Sequence, residues 1–332
     1  MAGSSALQSP AEGSLSRYPQ IRLQAIDPDP GLVTGCTEGT GVVDVAEPKN
    51  SNAHRLRHPA FDLVIHTDAS LLGWGASADN TPIGGHWSPA ESQLHINVLE
   101  LKAAYLAIQA FTRNRASAPV HIHLRIDNTT AVAYVNRTGG THWPSMSAVA
   151  LDLWSYVLRM GSWVTATHIP GALNNEADTA SCHFNPRVEW TLDSSVFQRI
   201  VERFYLPDVD LFASRLSHPV RKYISRFPDP GAIAVDAFLQ DWSNGSFLIH
   251  PPVNLLLRVV RKIQEDRASA LVIAPYWPHQ PWFPQLVQML VGYPLRLPTS
   301  KSLLYLPFDP QAYHPLWATL RLIVWPVSGD AS

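Results

Sequence analysis

Four acidic residues, Asp68, Glu100, Asp127 and Asp178, fall where structural elements should begin or end. Together they suit metal-assisted hydrolysis of a phosphodiester. That chemistry holds two Mg²⁺ ions roughly 3.5–4 Å apart to clamp the attacking and leaving oxygens, so several carboxylates must share one small space. Mg²⁺ prefers carboxylate and water oxygens to Cys or His, with Mn²⁺ as an alternative ion. Each acid also has a plainer reading: an Asp at a strand end commonly forms a turn, and Asp127 could cap a helix over 128–136. No single acid carries the argument; their joint placement does.

The elements that must position them are readable from pattern. FDLVIHTDAS (61–70) is dense in β-formers and predicts a strand ending near Asp68. LLGWGASAD (71–79) and PIGGHWS (82–88) add two strands in meander order. HINVLELKAAYLAIQAFTR (95–113) predicts a helix with Val98, Leu101, Tyr105 and Ile108 in one stripe. Glu100 lies in its first turns, and Ala103, Ala104 and Ala107 follow on the same face, small enough to let it approach a sheet closely. VHIHLRID (120–127) is a strand ending in Asp127, and NTTAVAYVNR (128–137) is a helix stopped by Gly139-Gly140. A helix over 145–160, a strand over 162–170 and a last helix over 174–182 complete the unit, with Asp178 near the start of that last helix. The order is β-β-β-α-β-α-α-β-α. Three element ends and one helix face can then meet at one edge of a sheet.

Four segments carry a family resemblance: HTDAS (66–70) with Gly73-Trp74-Gly75, NVLELKAAYLAI (97–108), RIDNTTAVAYVNR (125–137) and THIPGALNNEAD (167–178). Over 58–185 the chain resembles the RNase H domain of retroelement reverse transcriptases, in wording the DIRS type (the tyrosine-recombinase retrotransposons). The resemblance implies an α/β fold, an RNase H-like mixed sheet with flanking helices. It also implies a Mg²⁺-dependent endonuclease that cuts the RNA strand of an RNA–DNA hybrid, with Asp68, Glu100, Asp127 and Asp178 as the catalytic, metal-holding set. His168 takes the place of a mobile histidine that assists product release in some members; the alternative is a structural side chain closing its strand. Such enzymes read shape and the 2′-hydroxyl rather than sequence. Asn128, Thr129, Asn136 and Arg137 are the substrate-binding candidates by position, though capping and solvation explain each as well. Ser181-Cys182-His183 stands where related elements tend to have Ser-Arg, a departure expected to touch no metal ligand. His66, His86, His95, His121 and His123 read as strand and turn residues, with His121 and His123 sharing one strand face.

From about 186 to 332 prolines become denser. Strands over 207–214, 247–253, 270–277, 303–308 and 317–326 surround a helix over 254–266, which predicts a second α/β domain with a mainly parallel sheet. EWTLDSSVFQRIVERF (189–204), VDLFAS (209–214), DAFLQDWS (236–243), FLIHPPV (247–253) and ALVIAPYWPHQPWFPQL (270–286) are similar to the Dam-like adenine methyltransferase region of DIRS elements. That likeness implies a Rossmann-type domain in which Asp210 helps hold S-adenosylmethionine. The loop that should read Asp/Asn-Pro-Pro-Tyr/Phe instead reads His250-Pro251-Pro252-Val253, without the usual acceptor or a base-stacking aromatic. No Gly-rich loop follows Asp210. Methyl transfer is therefore expected to be lost, S-adenosylmethionine is not expected as a cofactor, and Tyr276, Trp277, Trp282 and Phe283 read as core.

Bulk properties bound these readings. The 332 residues are 46 % hydrophobic and 16 % charged, with net charge −2, which allows a sizeable core and excludes a strongly basic nucleic-acid binder. Nucleic-acid contact must then use a local patch or bound metal. Cys36 and Cys182 form neither a metal motif nor a disulfide framework, which suits a reducing compartment. Residues 1–57, rich in Ser, Gly, Pro, Asp and Glu, read as a disordered leader or linker without a signal-peptide pattern. No apolar run reaches membrane length, and Leu316–Val327 reads as a buried strand, so no membrane partner is expected. No Tyr-x-Asp-Asp motif occurs; a separate reverse transcriptase polymerase domain is the expected protein partner. The family alone suggests an intracellular setting, cytoplasm or nucleus. Two rival readings are a non-catalytic nucleic-acid-binding or adaptor remnant of a retroelement polyprotein and a DNA adenine methyltransferase.

Overall fold

Small and β-branched residues in runs, broken by tight turns, build the first part of the molecule. The computed structural model describes residues 24–25, 61–113, 115, 119–184 and 190–331. The leader expected over 1–57 lies outside the described residues except for β1 (Gln24–Ala25). The chain divides into two compact units: one formed by 27–186 with 227–231, the other by 1–26, 187–226 and 232–332.

In the first of these, β2 (Leu63–Ala69), β3 (Gly73–Ala78) and β4 (Thr81–His86) form the expected antiparallel meander. Asp79 and Asn80, both with positive φ (50° and 58°), make the two-residue turn between β3 and β4. Asp and Asn tolerate that left-handed region, and paired positive φ values match the twist of the flanking strands. Then follow α1 (Ile96–Thr112), β5 (His121–Ile126), α2 (Thr129–Asn136), α3 (Pro144–Arg159), β6 (Trp163–His168) and α4 (Asn175–Cys182). The order matches the one read from pattern. The mixed sheet runs β4-β3-β2-β5-β6, with β2, β5 and β6 parallel. This is a mixed α/β arrangement, a mixed sheet with flanking helices. Leu63, Ile65, Ile122, Leu124, Ile126 and Val164 point to the face covered by helices and form its core with Leu99, Leu101, Ile108, Leu153 and Val157.

The other unit is built on a six-stranded sheet in the order β1-β13-β16-β12-β11-β8, comprising β8 (Val209–Asp210), β11 (Ser246–Ile249), β12 (Ser269–Pro275), β13 (Leu295–Arg296) and β16 (Leu322–Ser328) besides β1. β8, β11 and β12 are parallel, and β16 runs antiparallel to both neighbours, so the sheet is mixed rather than wholly parallel. Alternation along its strands feeds two cores. Ile249, Val272, Ile323 and Trp325 join one with α6 (Leu256–Glu265) and α7 (Trp282–Gln288); Leu248, Leu271, Ile273 and Val324 join the other with α5 (Ser194–Arg203). Burial on both faces explains why β12 reads as an unbroken apolar run.

Three strand expectations are adjusted. Of 207–214 only β8 is strand, because Phe212 N turns back onto the Asp210 side chain. The 303–308 segment becomes part of a small sheet in which β14 (Leu304–Leu306) pairs with β15 (Asp309–Tyr313) and β7 (Thr191–Leu192), while β9 (Ile224–Ser225) and β10 (Ala234–Val235) form a separate parallel pair. The last strand starts at Leu322, since Leu316–Leu320 closes a turn with Thr319 and Leu320 amides on the Leu316 carbonyl. Trp282 and Phe283 are buried core residues. Among the described residues no helix is long and apolar enough to cross a membrane.

Candidate metal centre

Three of the four acids converge. Asp68 near the end of β2, Glu100 in the second turn of α1 and Asp127 just beyond β5 each present a carboxylate oxygen within 4.8 Å of the others. β2 and β5 are parallel neighbours, so their ends bring Asp68 and Asp127 side by side. Glu100 comes from α1, where Ala103, Ala104 and Ala107 are fully buried on the same helix face and keep that face small. Asp68 and Glu100 are each 6 % exposed.

The electrostatics are those of a site short of positive charge. Burial, with Asp68 and Asp127 adding repulsion, pushes Glu100 up to about 9. The Ala69 backbone N–H offsets part of this, but Glu100 Oε2 is buried without a hydrogen-bond partner. Burial also raises Asp68 and Asp127, and the charge of Asp178 adds to both shifts. A buried acceptor with no donor costs about 1–3 kcal/mol. Hard oxygen donors, mutual repulsion and an orphaned acceptor fit a hard cation.

Asp178 stands outside the tight trio, exposed in the first turn of α4, but near enough to act electrostatically on Asp68 and Asp127. His168 is exposed at the end of β6 with Nε2 3.1 Å from the Asp127 carbonyl oxygen, and its charge lowers the Asp127 pKa. A Cβ on Gly171 would sit 3.3 Å from Asp127 Oδ2, so a bare backbone lines the approach there.

The substrate candidates divide. Asn128 is the N-cap of α2: its Oδ1 accepts from the Ala131 amide at 3.0 Å, and its Nδ2 donates to Asn97 Oδ1 at 2.9 Å. Asn136 gives both ends of its amide to the Ala166 backbone, at 2.8 and 2.9 Å, and thereby ties α2 to β6. Thr129 and Arg137 are exposed on α2 and at its C-cap. His121 and His123 share Thr165 Oγ1, at 3.2 and 3.1 Å, and His123 reaches Thr167 Oγ1 at 3.0 Å. Among the described residues the one group of three or more His, Cys, Asp or Glu side chains close enough to share an ion is the acid trio.

The expectation that the Ser181 segment touches no metal ligand is corrected: Ser181 Oγ donates to Asp68 Oδ2 at 2.6 Å. Its spacing, three residues after Asp178 on one helix, was the available signal, because that spacing shares a helix face.

In the other unit Asp210 is 3 % exposed, and burial pushes it up to about 7. It shares a small pocket with His250, Thr191, Trp190 and Phe212, beyond the carboxyl ends of β8 and β11. Burial, reinforced by His314, pushes His250 down to about 4.

No family model matches the chain. No curated protein matches it either. Among solved structures the chain is similar to RNase H1 from the halophilic archaeon Halobacterium salinarum NRC-1, at 18 % identity and a TM-score of 0.29, over 36 % of this chain and 92 % of that one.

Proposed function

We propose that this chain is a nuclease of the RNase H type, hydrolysing the RNA strand of RNA–DNA hybrids with Mg²⁺ held by Asp68, Glu100, Asp127 and Asp178. The observation that carries the reading is the convergence of Asp68, Glu100 and Asp127 with one buried, unpartnered carboxylate oxygen on Glu100. Bound Mg²⁺ would supply an activated water and neutralise charge on the leaving oxygen. The protein's part is to hold ligands from three elements in register. Asp178, more exposed, would complete the set on the solvent side. His168, next to Asp127 and open to solvent, would serve product release. Thr129 and Arg137 remain free to meet the hybrid, whereas Asn128 and Asn136 act through the backbone they hold.

The direct test is cleavage of a labelled RNA–DNA hybrid by the full chain with Mg²⁺, beside Asp127→Asn. This substitution keeps size and removes one ligand charge. Losing an outer partner of a metal ligand costs about 10–100-fold, so losing the ligand should cost more than about 100-fold. Wild-type protein that binds hybrid without cutting it would favour the adaptor reading.

For 186–332 the parallel β8-β11-β12 group with a pocket past its strand ends supports a Rossmann-type, methyltransferase-like domain. His250 and Val253 at the loop, and a neutral imidazole where an acidic or amide acceptor is wanted, argue for one without methyl transfer.

A further inference from the structure

We propose that Ser181 is a positioning residue that aims the Asp68 carboxylate, and that a glycine-lined seat for α4 sets its reach. The proposal rests on the metal-centre reading above. Ser181 is fully buried on α4. Its hydroxyl donates to Asp68 Oδ2 at 2.6 Å or to the Asp178 carbonyl at 2.9 Å. A hydroxyl has one proton to give, so the residue faces a choice between the end of β2 and its own helix. Given to Asp68, that proton stabilises the ionised carboxylate against burial and fixes its plane relative to Glu100 and Asp127.

The serine is itself held. Ser70 Oγ donates to its carbonyl at 2.7 Å. Its backbone N lies over Gly75, the β3 residue paired with Asp68, where any Cβ would collide with that nitrogen and with the Ala177 carbonyl. Gly84 on β4 makes similar room for the Ala180 carbonyl. α4 therefore seats directly on strand backbone. That closeness brings Ser181 within a short hydrogen bond of Asp68 while carrying Asp178 to the same edge.

The test is calorimetric titration of the full chain with Mn²⁺, comparing wild type, Ser181→Ala and Ser181→Cys, with thermal unfolding recorded alongside. The alanine variant should bind Mn²⁺ about 10-fold more weakly while still unfolding cooperatively in metal-free buffer. The cysteine variant, nearly equal in size with a weak donor, should fall between. Mn²⁺ affinity equal to wild type in a folded alanine variant overturns the proposal. If that variant does not fold, a cysteine variant that binds as wild type does so instead. Wild type that binds no ion overturns both this and the metal centre. Wild type that binds Mn²⁺ more tightly than the serine variants, yet cuts no hybrid, upholds the role of Ser181 and removes the nuclease assignment.

Discussion

Glu100 is the residue on which metal-free stability and metal binding should pull in opposite directions. Its folded pKa, raised to about 9 from 4.5, means that the fold favours the protonated form. The stability tied to that proton is fully present below about 4.5 and is lost as pH rises through about 9. Without metal, the protein should therefore weaken across that window. Glu100→Gln removes the ionisable group, whose deprotonation favours the unfolded chain, and should raise stability at pH 8 by an amount on the order of 1–3 kcal/mol, with much less effect at pH 5. Saturating Mg²⁺ should reverse the order, because the wild-type site then has a cation to hold and the variant lacks one ligand charge. Scanning calorimetry at the two pH values, with Mg²⁺ or EDTA, checks both signs. A glutamine variant no more stable than wild type at pH 8 in EDTA would remove the argument that Glu100 is held against its preferred charge.

At the scale of elements the seat of α4 is the point where the sequence was least informative. The helix is short and weakly apolar; only Ala177 and Ser181 are buried along it. What docks it is backbone meeting backbone over Gly75 and Gly84. Gly75→Ala should therefore displace α4, costing about 1–3 kcal/mol by overpacking and weakening Mg²⁺-dependent cleavage, since Ser181 and Asp178 ride on the same helix. Thermal unfolding together with cleavage rate checks this; an alanine variant with wild-type cleavage would show that α4 does not need the close seat. The same contrast explains what sequence could reveal. The strands announce themselves through runs of β-formers between turn residues and α1 through its apolar stripe, and Asp68, Glu100 and Asp127 were placed by those patterns. Ser181 was passed over because its one signal, the three-residue spacing from Asp178, gives a shared helix face but not the strand end that its hydroxyl meets. In the other unit, two-residue strands such as β8 and β13 pair through a few backbone bonds, too few to stamp a pattern on composition.

Across the whole molecule, two units with separate buried cores hold two separate acidic liabilities. One is the carboxylate trio. The other is Asp210, fully buried, with a single backbone donor from Phe212 and a pKa raised to about 7 from 3.8. Its sign runs the same way: stability is present below about 3.8 and is lost as pH rises through about 7. Asp210→Asn keeps an oxygen for the Phe212 amide and removes the charge, so it should raise stability at pH 8 and change little near pH 4. A net charge of −2 gives the chain no cationic field to soften either cluster, so relief must come locally, from an ion at the trio or from neutralisation at Asp210. The two remedies act on different cores, and among the described residues these cores have no member in common. At pH 8 the stabilisation from saturating Mg²⁺ and that from Asp210→Asn should therefore add within about 0.5 kcal/mol. Chemical unfolding of wild type and variant, with and without Mg²⁺, measures the sum. A combined gain well below it would mean that the acid centre and the Asp210 pocket are energetically coupled, and that metal binding in one unit is felt in the other.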